Sequence, residues 1–428
     1  MSKTDFMPCN LLRLYCRWPV FLGCLFLLAA RPADGWALDG WPQWGGPSRD
    51  FHVARGPVDW NWDSGQPRQL WRRDLGDGYA GIVIAEQILY AMFRRDDLEQ
   101  VTAINSQTGE VIWTHSYPAP PHDGTDLSPG PGPHATPAVV GSRVFTAGVT
   151  GILHALDRTS GEVIWRHRVI DDLGGTLNFR GYSQSPLPYK DKVLMNVGGA
   201  GQAVMAFDQK TGKVCWKSQD YRISHVSPRM IDVAGQRQLV SIADGFVFAL
   251  DPDDGDLLWQ FEHGIDGGHI CSTPAWDGKE HLFFSAAYGR GSWVLQLTGD
   301  SDSTEVQPLW HHQRLRVHHS NIIVKDGLIF APHGDFGAIV FSCVDLVTGE
   351  VLWQTREIGR ASQLLVDGRH LVLDEEGKLM VVSLNRETPE IHHSMQLPEG
   401  QYWTPPSLVD GVLYLRNRKE IMAYRLVP

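Results

Sequence analysis

One phrase, of the form Ala-[Ile/Leu]-[Asn/Asp]-x-x-[Ser/Thr]-Gly-[Glu/Lys]-Val-[Ile/Leu]-Trp, recurs along the chain and restricts what it can fold into. It runs from Ala103 to Trp113, Ala155 to Trp165, Ala206 to Trp216 and Ala249 to Trp259, with a shorter copy from Val344 to Trp353. Eroded copies end at Trp310 and near His392. In each, an apolar strand ends in Asp or Asn, whose side chain accepts a hydrogen bond from the backbone two residues on and starts a turn. The following Gly supplies the positive φ of that turn, and a strand of β-branched and aromatic residues comes next.

Trp71, Trp113, Trp165, Trp216, Trp259, Trp310 and Trp353 are spaced by 42, 52, 51, 43, 51 and 43 residues. A repeat of about 40–50 residues belongs to solenoids and propellers, and this room suits four short strands, one propeller blade. A second period agrees. Thr136-Pro137, Ser185-Pro186, Ser227-Pro228, Thr273-Pro274 and Thr404-Pro405 each open an apolar run, and Ala80-Gly81, Ser320-Asn321 and Ser362-Gln363 hold the same register. Proline is tolerated where a strand begins, so these eight positions mark the innermost strands of eight blades. The last blade stops one strand short near Leu426, and the unclaimed strand around Trp71 completes it, leaving no open seam. The expected fold is an all-β, eight-bladed propeller over 68–428, closed by its N-terminal strand.

Residues 1–37 read as a secretory signal peptide: Lys3, Arg13 and Arg17 precede an apolar run from Trp18 to Ala30, followed by Ala33, Gly35 and Ala37. The run is shorter than the roughly 20 apolar residues of a spanning helix. Lipid anchoring at Cys24 is disfavoured, because the apolar run continues past it. Residues 38–67 form a lead-in. The chain is expected to be exported, periplasmic or extracellular, and monomeric. Its net charge of −11 argues against a nucleic-acid partner, which requires clustered Lys and Arg. Outside the leader stand Cys215, Cys271 and Cys343, with no C-x-x-C pair. Cys215 and Cys343 fall on repeat strands and are expected to be small buried residues.

The repeat resembles that of the pyrroloquinoline-quinone (PQQ)-type propeller superfamily, in which the recurring Trp docks between neighbouring blades. The opening Trp41-Pro-Gln-Trp-Gly-Gly-Pro-Ser-Arg-Asp50, with Tyr288 to Ser292, His319-Ser320, Val366 to Gly368 and Trp403 to Pro406, resembles landmarks of a secreted bacterial branch. The superfamily includes quinone-dependent dehydrogenases and a non-enzymatic outer-membrane assembly factor. The resemblance implies, for the dehydrogenases, a calcium ion held by carboxylates and amides, an Asp base, a Trp floor and often vicinal cysteines. No such motif carries over, so no catalytic residue is assigned, and neither PQQ nor calcium is expected as a cofactor.

Two positions before each innermost strand the sequence reads Gly78, His134, Ser183, His225, Cys271, His318, Arg360 and Tyr402. These should ring one mouth of the channel, and His134, Ser183, His225, Cys271, His318, Arg360 and Tyr402 form the candidate binding rim. His225, Cys271 and His318, on consecutive blades, are the one credible metal-binding trio, with ligand types suited to zinc or copper. Asp251 to Asp256 sits on the repeat turn and needs no calcium to explain it. The insertions at 117–133 and 171–182 border the His134 and Ser183 side of the rim, where loops on a rigid scaffold carry recognition. The leading expectation is a non-catalytic envelope module that binds a protein partner or a small ligand. The alternatives are a quinone-dependent oxidoreductase with its cofactor at the channel mouth, and a small-ligand or metal-binding propeller using the His/Cys rim.

Overall fold

The structure is a computed structural model describing residues 40–53, 57–63, 65–300, 303–335 and 339–427. The leader, with Cys24, lies outside these residues. The strands form eight antiparallel four-stranded blades, two of them widened by a short lead-in strand. Seven follow in chain order over 83–118, 138–168, 187–218, 229–262, 275–312, 323–355 and 361–396. The eighth joins Ser407–Val409, Val412–Arg416 and Glu420–Arg425 to an outer strand, Arg68–Asp74, from the other end of the chain, with Trp71 opposite Ala423. The blade count and the closure both match the sequence reading.

Each element of the repeat has a contact that explains it. The Asp or Asn side chain accepts backbone N–H groups of its own turn, as Asp157 does from Thr159 and Ser160 at 2.9 Å. The tryptophan faces the small residue that opens the phrase, in pairs such as Ala103 with Trp113 and Ala155 with Trp165. Its indole N–H donates to a turn carbonyl of the next blade: Trp71 to Ser106, Trp113 to Arg158, Trp165 to Gln209, Trp216 to Pro252, Trp310 to Leu346 and Trp353 to Asn385, at 2.8–3.3 Å. Trp259 donates instead to Gln238 Oε1 within its own blade. For Trp71, Trp113, Trp165, Trp216 and Trp310 the ring lies against the glycine of that next turn: Gly109, Gly161, Gly212, Gly255 and Gly349. A Cβ at Gly161 would stand 2.5 Å from Trp113, and one at Gly255 2.5 Å from Trp216. The glycine is therefore required twice, by its positive φ and by its neighbour's indole.

In blade 7 the register places His393, one residue beyond the expected His392, opposite Val381 at the tryptophan position. The next blade offers no repeat turn there, because the chain ends and restarts. Lead-in Trp62 fills the gap, buried, with its ring 6.0 Å from that of His393. Cys343 is buried as expected, but Cys215 is exposed. It precedes Trp216 on an outer strand, and alternation turns it outward when the indole turns in.

The Ser/Thr-Pro motif also proves to be a latch. Thr136 Oγ1 accepts from Gly81 N, Ser185 Oγ from Thr136 N, and Ser227 Oγ from Ser185 N, at 2.9–3.0 Å, joining one innermost strand to the next. Between blades 6 and 7, where the proline is missing, Gln363 N donates to Asn321 Oδ1 and Asn321 Nδ2 to Gln363 O, at 2.8–2.9 Å.

The lead-in enters the channel. Gly40–Trp41 pairs with the innermost strand of blade 1, and His52–Val53 pairs in parallel with that of blade 7. Between them the chain touches opposite walls: Val139 N donates to Pro42 O, Trp44 Nε1 to Thr273 Oγ1 at 3.1 Å, and Arg49 Nη1 to Pro186 O at 3.1 Å. The segment is a plug, bonded to blades 1, 2, 3, 5 and 7.

Candidate functional site

The plug converts one end of the channel into a cavity of about 630 Å³, with Trp44 among its lining residues. That volume is typical of small-molecule sites. His134, Ser183, His225, Cys271, His318 and Arg360 all line it, each delivered by the step from an inter-blade loop into an innermost strand. Tyr402 does not. Its ring is buried over Gly377 and its hydroxyl donates to Pro398 O at 2.7 Å. Trp403, the next residue, faces the cavity instead, as does Tyr79 rather than Gly78 in blade 1. At this seam the register of the rim is shifted by one residue, because Tyr402 is drawn into the hydrophobic core beside Met422.

Aromatic rings run in sequence around half of the cavity. His134 stacks on Tyr79 at 6.0 Å, Tyr79 on Trp403 at 5.0 Å, and Trp403 meets His319 at 4.6 Å. His319, His318 and Tyr288 continue the series at 4.9 and 5.1 Å. On the far side, Ser183 Oγ lies 2.9 Å from His225 Nδ1. The 117–133 and 171–182 insertions contribute Asp126, Phe179 and Arg180.

The charges at the cavity are matched in pairs. Arg180 binds Asp126 at 2.6 Å, Arg316 binds Asp335 at 2.9 Å, and Arg360 approaches Glu375 at 3.4 Å. Glu375 also accepts the Trp403 indole N–H at 3.0 Å. Burial holds the imidazoles neutral: it lowers the pKa of His134 and His318 to about 4 and of His225 to about 3, and puts that of His319 well below the usual range. Burial also pushes the Cys271 thiol up to about 12, so it stays protonated.

His225, Cys271 and His318 share this cavity without converging. Among the described residues no three His, Cys, Asp or Glu side chains are grouped closely enough to hold a metal ion. They stand on separate blades, and His225 is engaged by Ser183. The donor set does not suit calcium either, since Asp126, Asp335 and Glu375 each face an arginine.

Sequence reasoning missed Arg180, Asp335 and Glu375 as site residues, since they sit on non-repeating loops. It singled out Trp44, Tyr288, His319 and Trp403 only within family landmarks, without placing them together. All four line this one cavity.

The family model described as Outer membrane protein assembly factor BamB matches residues 97–355. The outer membrane protein assembly factor BamB of Yersinia pestis is 25% identical over 289 residues, 62% of this chain and 69% of that relative. Subunit 1 of the methanol dehydrogenase of Paracoccus denitrificans is 35% identical over 104 residues, covering 24% of this chain and 15% of its own. The crystal structure of BamB from Moraxella catarrhalis shares the fold, with a TM-score of 0.58 at 16% identity over 84% of this chain and 98% of that one. With the family match running from blade 1 into blade 6 of a closed eight-bladed propeller, the chain belongs to the PQQ-type propeller family described as outer membrane protein assembly factor BamB.

Proposed function

We infer that this chain is an exported, non-catalytic binding module of the cell envelope, and that the plugged channel mouth holds an uncharged part of its partner or ligand. The observation that carries this reading is the cavity itself: closed below, aromatic on one side, and lined by charges already neutralised in pairs. A charged group entering it would be desolvated without a counter-charge, whereas a neutral ring or side chain stacks on Tyr79 and Trp403. General acid–base work at neutral pH calls for a pKa near 7, and the resolved shifts of His134, His225, His318 and Cys271 all move away from it. Similarity to proteins named as assembly factors supports the envelope setting.

A photo-crosslinking residue at Phe179, exposed at the rim, should form an adduct in envelope preparations. The same residue at Val347, exposed on a turn of blade 6, should form none. Equal labelling at both positions, or none at Phe179, would refute the reading. The quinone-dependent alternative would gain from alcohol-dependent dye reduction after reconstitution with PQQ and calcium, and the module reading would then fall.

A further inference from the structure

Beneath the cavity lies a second, smaller space with a different chemistry. Arg49, from the plug, and Arg229, from the innermost strand of blade 4, are 4% and 7% exposed. Arg49 Nη1 donates to Gln43 Oε1 and Pro186 O, both at 3.1 Å, and Arg229 Nη1 donates to Pro274 O at 2.8 Å. All these acceptors are neutral, and among the described residues neither guanidinium is ion-paired with a carboxylate. Asp50 is the nearby acid: its charge acts on Arg229 without forming an ion pair, and its Oδ1 accepts the His52 N–H at 3.0 Å, so one carboxylate stands against two guanidinium groups. Arg49 Nε and Nη2 and Arg229 Nε are buried and have no hydrogen-bond partner.

Both arginines line one enclosed void of about 20 Å³, shared with Phe51, Ser272, Thr273 and Asn321. Burying even one ion without a counter-charge costs several kcal/mol, and two like charges facing one space repel. Burial and the Arg229 charge lower the Arg49 pKa to about 9, which still leaves it protonated at neutral pH. A water in the void could accept hydrogen bonds but would leave the positive charge in place. The room is that of about one water-sized sphere, which is too small for phosphate, sulfate or a carboxylate.

We propose that this void binds a single halide ion, chloride in the envelope, shared between Arg49 and Arg229. The ion accepts the orphaned N–H groups and ties the plug to blade 4. Trp44 and Thr273 border both this void and the cavity, so the ion also steadies the cavity floor. The site is independent of whatever occupies the cavity.

The test uses the purified chain in sodium chloride and in sodium gluconate at equal ionic strength. The thermal midpoint should be higher in chloride and should rise with the logarithm of chloride concentration, as expected for a ligand bound only by the folded state. Arg229→Gln should fold, as read by circular dichroism, and lose that dependence; Arg49→Gln serves as a second variant. Crystals soaked in sodium bromide should show an anomalous peak between the two guanidinium groups. Equal midpoints in chloride and gluconate with no bromide peak would mean that the void holds water only. An unchanged chloride response in both variants would mean a general salt effect. Either result overturns the proposal.

Discussion

Alanine in place of Gly161 should destabilise the propeller far more than alanine in place of Gly327, although the two backbones are alike. Their φ angles are +73° and +74°, so both substitutions carry the same left-handed strain, about 1–2 kcal/mol. The surroundings differ. A Cβ at Gly161 would lie 2.5 Å from Cε3 and 2.7 Å from Cδ2 of Trp113, whereas one at Gly327 meets nothing within 4 Å. The indole must therefore lift, which adds an overpacking cost of about 1–3 kcal/mol. It also strains the Trp113 hydrogen bond to Arg158 O, now 3.0 Å, worth about 1 kcal/mol. The expected loss is about 1–2 kcal/mol for Gly327→Ala and about 3–6 kcal/mol for Gly161→Ala. Urea titrations followed by circular dichroism would show this as a lower midpoint with an unchanged slope. In a Trp113→Ala background, the cost of Gly161→Ala should fall to that of Gly327→Ala, giving a coupling of about 2–4 kcal/mol. Equal costs at the two glycines, or additive costs in the double variant, would show that the glycine serves its own turn alone and that the docking argument is wrong.

Acid should weaken the fold through its buried histidines. Burial, aided by His115 and Arg166, lowers the His154 pKa to about 3, and burial, aided by Lys325 and His52, does the same for His370. The unfolded chain takes up these protons near pH 6.5 and the folded one does not, so stability is complete above that value and declines towards pH 3. At pH 5 each residue should account for a loss of about 2 kcal/mol. Urea midpoints at pH 7 and 5 should show the decline, and His154→Gln with His370→Gln should reduce the loss at pH 5 by about 4 kcal/mol, leaving the share of His134, His225, His318 and the other buried histidines; a midpoint constant from pH 7 to 5 would contradict the assignment. Trp62→Ala should cost about 3 kcal/mol, within the usual range for a buried aromatic, and should speed proteolysis within 57–67 because it opens the seam beside His393. Unchanged proteolysis would show that the eighth blade closes without it.

The architecture was legible because most repeated residues make the same contact in blade after blade: Asp157 with its own turn, Gly161 with the Trp113 indole, Thr136 with the strand before it. A residue with a repeated job leaves a period in the sequence. The rim could be located by offset for the same reason, and it failed at Gly78 and Tyr402, on the two sides of the seam that breaks the period, where Tyr79 and Trp403 face the cavity instead and the core claims Tyr402. Arg180, Asp335 and Glu375 have no counterpart in other blades and left no period to read. The plug is the extreme case, since Trp44 and Arg49 act on Thr273 and Pro186, far away in sequence and on different blades. Its one local sign is Gly45-Gly46, both at positive φ, with a Cβ at Gly45 only 2.8 Å from the Arg49 backbone and one at Gly46 only 2.8 Å from the Trp41 ring. A linker has no use for such tight packing. The repeat therefore builds a channel open at both ends, as eight similar blades must. It is the non-repeating lead-in that makes one end a floor, and any selectivity of the cavity rests on residues that the propeller itself does not demand.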